Sequence, residues 1–128
     1  MASMDMEAMR SYLNHITAGE FEAAMDYWAD DIVVHVSGNN PTSGTYTGKE
    51  AAAGYTAQAV GAVDSVQIDE HDVLVSDQHA VVLSTTHAER NGQHLTSNTV
   101  VVYHTEGDQV TELWIIPEDQ RAVDEFFS

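Results

Sequence analysis

The chain has 128 residues, 43% of them hydrophobic, which predicts a single domain over residues 1–128 with a sizeable buried core. Its 21 acidic residues outnumber four Lys and Arg, for a net charge of −17. A field of that sign repels phosphate backbones and anionic lipids, which argues against nucleic-acid and membrane-surface roles. The acidity has two interpretations: solubility or adaptation to high salt, or attraction of a cationic ligand.

Several absences bear on the compartment. No apolar run approaches the roughly 18 residues that a membrane span needs, and no basic start with an apolar stretch marks a secretory signal. The chain contains no cysteine, which excludes disulfide and thiolate chemistry. These features favour a cytoplasmic protein.

Apolar residues at helical spacing predict two helices near the start of the chain. The first can begin at Ser3 or Asp5, which are good N-cap residues, and can end at Gly19. Its apolar stripe consists of Met6, Met9, Leu13 and Ile16. The stripe of a second, short helix consists of Phe21, Ala24, Met25 and Trp28.

A turn, a strand and a long loop are predicted next. The pair Asp30-Asp31 predicts the turn, and the β-branched run Ile32–Val36 predicts the strand. Residues 37–48 are rich in Gly, Asn, Pro and Thr, which predicts a loop long enough to border a site. The run Thr47-Gly48-Lys49-Glu50 has the spacing of a capping box, so a third helix is predicted to start there.

From residue 65 the hydrophobic period changes to two, which predicts strands. Asn91-Gly92 is the strongest hairpin signal, and Gly107-Asp108 predicts the next turn. Pro117 ends the last strand, and a short closing helix is predicted after it, over 118–127. Helices followed by a meandering antiparallel sheet form an α+β order. The predicted strands are 66–75, 79–89, 94–105 and 110–116.

The Asn91-Gly92 turn fixes a register in which Arg90 opposes Gln93 and His87 opposes Thr96, and alternation then sorts the strands into two faces. The first face consists of Leu83, Thr85, His87, Glu89, His94, Thr96, Asn98, Val100 and Val102. An equally tight turn at Gly107-Asp108 is expected to add Glu112, Trp114 and Ile116, whereas a bulge would reverse that placement. This mixture of Trp, His, Asn, Thr and aliphatic side chains predicts the lining of a ligand pocket.

The second face carries small and β-branched side chains, and we expect it to form a sheet-to-sheet contact in a homodimer. It consists of Val82, Ser84, Thr86, Ala88, Leu95, Ser97, Thr99, Val101 and Tyr103.

The run from Tyr27 to Val36, preceded by Ala18-Gly19-Glu20-Phe21-Glu22-Ala23-Ala24, resembles the opening of the NTF2-like superfamily. That superfamily includes ketosteroid isomerases and SnoaL-like polyketide cyclases. Residues 35–48 and 118–127 resemble a SnoaL-like subgroup of unassigned function. The resemblance implies an α+β cone in which three N-terminal helices pack on a strongly curved antiparallel sheet, with a short C-terminal helix, around a deep pocket.

The resemblance to ketosteroid isomerase places the oxyanion-hole tyrosine of that family on Tyr12. The isomerase also uses an aspartate base and a neutral aspartic acid. In this chain the base position falls on Val36 and the second acid falls near Asn98 or Thr99, so both carboxyls are missing. Ketosteroid isomerase activity is therefore not expected, because no base stands at the required position.

The resemblance to SnoaL-like cyclases concerns the C-terminal end. Those enzymes use an aspartate shortly after the tryptophan of the last strand as the acid and base of an aldol ring closure. Here Glu118 and Asp119 follow Trp114 at about that spacing, with Glu118 at the matching distance and Asp119 one residue later.

These observations define a predicted site. The predicted donors and bases are Tyr12, His87, Asn98 and Asp119, with His35 in reserve. The predicted substrate-contacting walls are Trp28, Val36, Tyr55, Leu83, Val100 and Trp114. His35 alternates with Val36 and would point away from a pocket that Val36 enters, so a purely structural histidine stays an alternative. His87 with Glu89 and His94 forms either a proton relay or a solvated hairpin end.

The expected ligand is a small, largely apolar molecule, polycyclic or carbonyl-bearing. Any catalysis would be proton-transfer chemistry (cyclisation, isomerisation, dehydration or hydrolysis) without a cofactor. The seven histidines form no His-x-x-x-His pair, so no metal site is expected. Two other functions stay open: a non-catalytic ligand carrier or sensor, and a protein-interaction module.

Overall fold

The computed structural model describes residues 4–128, so the N-cap candidate Ser3 lies outside the described residues. Within this part of the chain, no helix is long and apolar enough to cross a membrane. The elements are α1 (Met6–Thr17), α2 (Phe21–Met25), β1 (Trp28–Val36), β2 (Gly44–Thr47), α3 (Lys49–Gly61), β3 (Ser65–Val75), β4 (His79–Arg90), β5 (Gln93–Glu106), β6 (Gln109–Pro117) and α4 (Gln120–Phe127).

The ends of α1 follow from local chemistry. The Ala8 backbone N–H donates to the Asp5 carboxylate at 2.9 Å, which satisfies one of the free donors of the first turn. After Ala18, the chain turns at Gly19 with φ of 76°, a left-handed conformation that glycine adopts without steric cost. The helix buries Met9, Tyr12 and Leu13 against the sheet.

Two local predictions near the second and third helices are wrong. Trp28 begins β1 instead of ending a helix, and Asp30-Asp31 lies inside that strand, where the register of its pairing with β6 is irregular. The capping box is also absent: Gly48 is the N-cap of α3 and no side chain caps the helix. Thr47 is unavailable as N-cap because it pairs with Val33 as the last residue of β2.

The six strands form one sheet in the order β2-β1-β6-β5-β4-β3. The predicted α+β class is confirmed. Two details differ from the expectation of an antiparallel meander, since β1 runs parallel to β6 and the short strand β2 lies within the predicted loop. The main core lies between α1 and the sheet, around Met9, Tyr12, Ile32 and Val110.

The β4–β5 hairpin has the predicted register, with Arg90 opposite Gln93 and His87 opposite Thr96. Asn91 and Gly92 have φ of 52° and 80°, as a type I′ turn requires.

The β5–β6 hairpin has a tight turn, and its register then shifts by one residue beyond His104. Trp114 therefore lies opposite Val102 and shares the first face, as predicted. The expected effects of a tight turn and of a bulge are reversed. A two-residue turn alone would bring Leu113 opposite Val102, and it is the bulge that places Trp114 there.

Candidate functional site

A cavity of about 310 Å³ lies between the helices and the inner, concave face of the sheet. Residues of α1, α2 and α3 line one side of it, and α4 closes one end with Gln120, Val123 and Phe127. The central strands line it with Val82, Ser84, Thr86, Ala88, Leu95, Ser97, Thr99, Val101 and Tyr103. These nine residues are the predicted second face.

The assignment of the first face to the pocket is therefore wrong. Leu83, Val100 and Trp114 lie on the outer, convex face, and none of them lines the cavity. The physical reason is the side that the helices cover: α1, α2 and α3 lie over the second face, so the cavity forms there and the first face is left outside. The second face likewise cannot be the dimer contact, since it faces the cavity.

A cluster of aromatic hydroxyl and indole groups lies in the cavity wall. The Trp28 indole N–H donates to the Tyr12 hydroxyl oxygen at 3.1 Å, and the Tyr12 and Tyr103 rings meet edge to face at 5.7 Å. Burial raises the pKa of Tyr12, although hydrogen bonds with Trp28 and Tyr103 lower it in part. Burial also raises the pKa of Tyr103 well above its usual value, and the charges of Tyr12 and Glu70 add to the rise. Both phenols are therefore neutral donors at ordinary pH.

Tyr55 of α3 lines a different part of the cavity. Burial raises the pKa of Tyr55 to about 12, and the neighbouring Tyr46 adds to the rise. The two rings lie 5.0 Å apart between centroids. Tyr55 is thus an aromatic wall that does not ionise at ordinary pH.

Glu70 is the one carboxylate among the described residues that line the cavity. It lies on β3 directly opposite Ser84, which lies opposite Thr99 on β5. Partial burial raises the pKa of Glu70, and the charge of Arg10 on α1 lowers it to a smaller extent. A carboxyl with a raised pKa exchanges protons closer to neutral pH than an exposed one does.

Ser97 brings an unpaired polar atom to the wall. Its side chain is 5% exposed, and its hydroxyl oxygen is the one buried side-chain oxygen or nitrogen in the described part of the chain that has no hydrogen-bond partner. A buried hydroxyl without a partner costs about 1–3 kcal/mol of stability.

The cavity is closed at one end by a seam between the 37–43 loop and α4. Asp124 accepts hydrogen bonds from the Asn40 side chain at 2.8 Å, the Asn39 backbone at 3.1 Å and Gln120 at 2.9 Å. These bonds lower the pKa of Asp124, with the Asn40 bond as the largest cause. Gly38 packs so closely on Gln120 and Asp124 that a Cβ atom would lie 2.0 Å from Gln120 Nε2.

Four of the predicted site residues line the cavity: Tyr12, Trp28, Val36 and Tyr55. Only Tyr12 and Trp28 are hydrogen-bonded to one another. Their functional roles stay predictions.

The remaining predicted donors and bases lie outside the cavity. Asn98 is on the convex face, where it accepts from the Thr85 hydroxyl and donates to Glu118. Asp119 caps α4 and accepts from the Ala122 backbone N–H at 3.1 Å. His87 is also on the convex face, and its Nε2 lies 3.2 Å from the Asp69 carboxylate. The placement of these three in the pocket was wrong.

His35 lies on the convex face, as the alternation with Val36 indicated. Its ring stacks on Trp114 with centroids 5.3 Å apart, its Nε2 lies 2.5 Å from Glu112 Oε2, and its Nδ1 lies 3.3 Å from Thr45 Oγ1. Both ring nitrogens therefore have protein partners, which fits the structural alternative.

Sequence reasoning missed Glu70, Ser97 and Tyr103 as cavity residues. The available signal was size: the second face alternates small hydroxyl residues with aliphatics, which is the composition that leaves space on a concave surface. Glu70 shares that face because it is two residues from Ile68, which also lines the cavity.

The match to known families covers most of the chain. The SnoaL-like domain model matches residues 9–113. The chain belongs to the SnoaL-like domain family. No curated protein sequence matches this SnoaL-like domain.

Solved structures with the same fold are similar to this SnoaL-like domain over almost their whole length. Bal32a from a soil-derived mobile gene cassette is 21% identical, with 95% of each chain covered and a TM-score of 0.89. A protein of unknown function with a cystatin-like fold from Xanthomonas campestris is 20% identical, with 95% of this chain and 96% of that chain covered and a TM-score of 0.89. TerC, co-crystallized with polyporic acid, is 14% identical, with 94% and 95% covered and a TM-score of 0.82. At these identities the likeness concerns the fold alone.

Proposed function

We propose that this SnoaL-like domain binds a small, largely apolar molecule in the cavity of the cone. The observation that carries the proposal is the combination of an apolar cavity of about 310 Å³ with a few inward polar groups, the usual composition of small-molecule sites. The unpaired Ser97 hydroxyl supports it, because a ligand polar group there would satisfy a buried oxygen that the protein leaves without a partner. TerC, a protein of the same fold, has been co-crystallized with the small molecule polyporic acid.

We propose further that any turnover is proton transfer without a cofactor, namely cyclisation, isomerisation, dehydration or hydrolysis. Tyr12 is the proposed hydrogen-bond donor to a ligand oxygen, because the Trp28 N–H already satisfies its oxygen and its own O–H remains for a ligand. Glu70 is the proposed acid and base, since no other carboxylate and no histidine lines the cavity among the described residues. Convex-face groups have no part in this chemistry.

The test is a thermal-shift screen against steroids, polyketide-like aromatics, terpenoid epoxides and small enones. Saturable stabilisation by one class is expected, because a ligand of the folded state raises the melting temperature by mass action. Thr86→Trp fills the cavity from the concave face and should remove the shift. His87→Trp, the neighbouring position on the convex face, is the matched control and should keep it.

A shift that survives Thr86→Trp would contradict binding in the cone. No shift with any compound class would favour the protein-interaction alternative instead.

We propose also that two copies associate through the convex face. Leu83, Val100 and Ile116 lie in register across three strands there, and Leu83 and Ile116 are 37% and 46% exposed. A face of exposed aliphatic side chains on a sheet is suited to packing against a second sheet. Sedimentation velocity should give a dimer that Leu83→Lys converts to a monomer; a monomeric parent protein would refute the proposal.

A further inference from the structure

The floor of the cavity carries a polar row that ends in a negative charge. Thr99, Ser84 and Glu70 lie directly opposite one another on β5, β4 and β3, and all three line the cavity. The strands of a sheet lie about 4.8 Å apart, so this row spans about 10 Å of the floor. On one side of this row lie the aliphatic Val82 and Val101, and on the other lie Ser97, Thr86 and Ile68.

No protein cation neutralises this carboxylate inside the cavity. The described residues that line the cavity include no Lys or Arg. The charge of Arg10 on α1 lowers the pKa of Glu70, but Arg10 is solvent-exposed and burial of Glu70 has the larger, opposite effect, so the pKa of Glu70 is raised. The charge of Glu70 therefore lacks a full counterion in the free protein.

The rest of the wall and the whole chain favour positive ligands. Tyr12, Trp28, Tyr55 and Tyr103 line the cavity, and aromatic faces attract cations by roughly 0.5–2 kcal/mol each. The chain has 21 acidic residues against four basic ones, so its field concentrates cations at its surface and repels anions. An anionic ligand would be repelled both by the net negative charge of the chain and by the Glu70 carboxylate.

We propose that the cone selects cationic ligands: molecules with an apolar body and a positively charged nitrogen, such as a tertiary or quaternary amine, with the nitrogen at Glu70. This inference rests on the proposed binding in the cavity and names the chemical class of its ligand. The apolar body fills the aliphatic part of the cavity, and the charged nitrogen supplies the counterion that Glu70 lacks. Such a ligand also keeps the carboxylate ionised, which is the form that accepts a proton.

The experiment compares two probes of the same shape and different charge, trimethyl(naphthalen-2-yl)ammonium and 2-tert-butylnaphthalene. The quaternary nitrogen carries a permanent charge, so the probe itself does not titrate. Binding is measured by calorimetry and naphthalene fluorescence at pH 7 in low salt and in 1 M NaCl. The parent protein should bind the cation at least tenfold more tightly than the neutral probe.

Three variants identify the source of the preference. Glu70→Gln keeps the side-chain shape and should reduce the affinity for the cation to that for the neutral probe. Arg10→Gln removes the opposing charge and should increase the preference. Glu50→Gln removes one exposed carboxylate on α3 that does not line the cavity, and should leave the preference unchanged.

Salt and pH separate Glu70 from the general surface charge. In 1 M salt the screening length is about 3 Å, so a preference due to surface charge disappears, whereas one due to Glu70 persists in part. The preference should also decline as the pH falls through the raised pKa of Glu70, because the protonated acid is neutral.

The outcomes distinguish this inference from the proposed function. Equal affinity of the parent protein for both probes, or a preference that survives in Glu70→Gln, overturns the inference and leaves binding in the cone intact. Failure of both probes to bind overturns the inference together with the proposed function. If Glu70→Gln does not fold, as judged by circular dichroism, Glu70→Asp replaces it and should give an intermediate preference.

Discussion

The two faces of the sheet are built from the same strands, yet their chemistry is opposite. The concave face carries small aliphatic and hydroxyl side chains, with Tyr103 and Glu70 at its polar end, and no histidine among the described residues that line the cavity. The convex face carries Trp114 and six of the seven histidines, several beside carboxylates. These histidines are His35, His71, His79, His87, His94 and His104.

The difference shows that the cavity lies on the face whose side chains leave space for a ligand, and not on the face with more catalytic residue types. Ser84, Thr86, Ser97 and Thr99 are short, so the concave face retains space for a ligand. The richer set of catalytic residue types on the convex face is paired within the protein: His35 with Glu112, His87 with Asp69 and Asn98 with Glu118. Residue types that often act in catalysis are therefore insufficient to locate a site.

The largest effect is expected at the seam that closes the concave side. Gly38→Ala should destabilise the protein by about 3 kcal/mol, because the φ of 96° is strained for alanine and the side-chain ends of Gln120 and Asp124 must move away from the added Cβ, which breaks their hydrogen bonds to the 37–43 loop. Chemical denaturation measures the loss. Gly54→Ala is the control. Gly54 lies in α3 with open space around its Cβ position, and alanine there should increase the free energy of unfolding by about 0.5–1 kcal/mol. Equal changes in the free energy of unfolding for the two variants would show that the seam does not contribute to stability.

The two tryptophans provide a matched pair, one on each face. Trp28→Phe should cost about 2 kcal/mol, because it leaves the buried Tyr12 oxygen without the indole donor and removes packed volume. Trp114→Phe keeps an aromatic ring on His35 at a partly exposed position and should cost less than about 1 kcal/mol. Equilibrium unfolding in urea measures both, and a reversed order would contradict the assignment of the inner face.

A smaller effect distinguishes two serines on the concave face. Ser97→Ala removes an unpaired buried hydroxyl and should raise stability by about 1 kcal/mol in the free protein. Ser84→Ala removes a hydroxyl that donates to the Thr99 carbonyl oxygen at 3.3 Å, and should lower stability by about 0.5–1 kcal/mol. Melting temperatures without ligand measure the pair. A loss of stability in Ser97→Ala would show that its hydroxyl has a partner in solution.

The smallest effect concerns the pH dependence of the seam. Because the folded-state pKa of Asp124 is lowered, its contribution to stability is present above the unfolded pKa of about 3.9 and is lost as the pH falls through the folded pKa. Asp124→Asn lacks this contribution at every pH. The difference in melting temperature between the parent and the variant should therefore shrink below about pH 4. A difference independent of pH would contradict the charge-assisted bonds to Asn39 and Asn40.

Much of the fold was predictable from local signals. Alternation from residue 65 gave the four long strands to within a residue or so at each end, and Asn91-Gly92 gave the register of its hairpin. The four-residue strand β2 was missed although Thr45, Tyr46 and Thr47 favour strands, because the run is short and lies between Gly44 and Gly48 in a segment rich in Gly, Asn and Pro. Likewise, the pairing of Thr47 with β1 overrides its capping-box spacing.

The site was less predictable, for a physical reason. Alternation tells which residues share a face, but not which face is concave, because curvature depends on bulges and on the side that the helices cover. The shifts at His71 and at His104–Thr105 could not be read from the residue pattern. Tyr12 and Val36 line the cavity, and they could be predicted there because the family resemblance assigned them to the pocket. The family resemblance assigned no role to Glu70, so its place in the cavity was not predicted.

The central claim is that the concave face binds the ligand, and its most direct test is an NMR titration with the neutral naphthalene dye prodan. The amide resonances of Ser97, Thr99 and Tyr12 should shift with one saturable affinity, while those of His35 and Trp114 should shift little. Saturable shifts confined to His35, Trp114 and their convex-face neighbours would contradict the account.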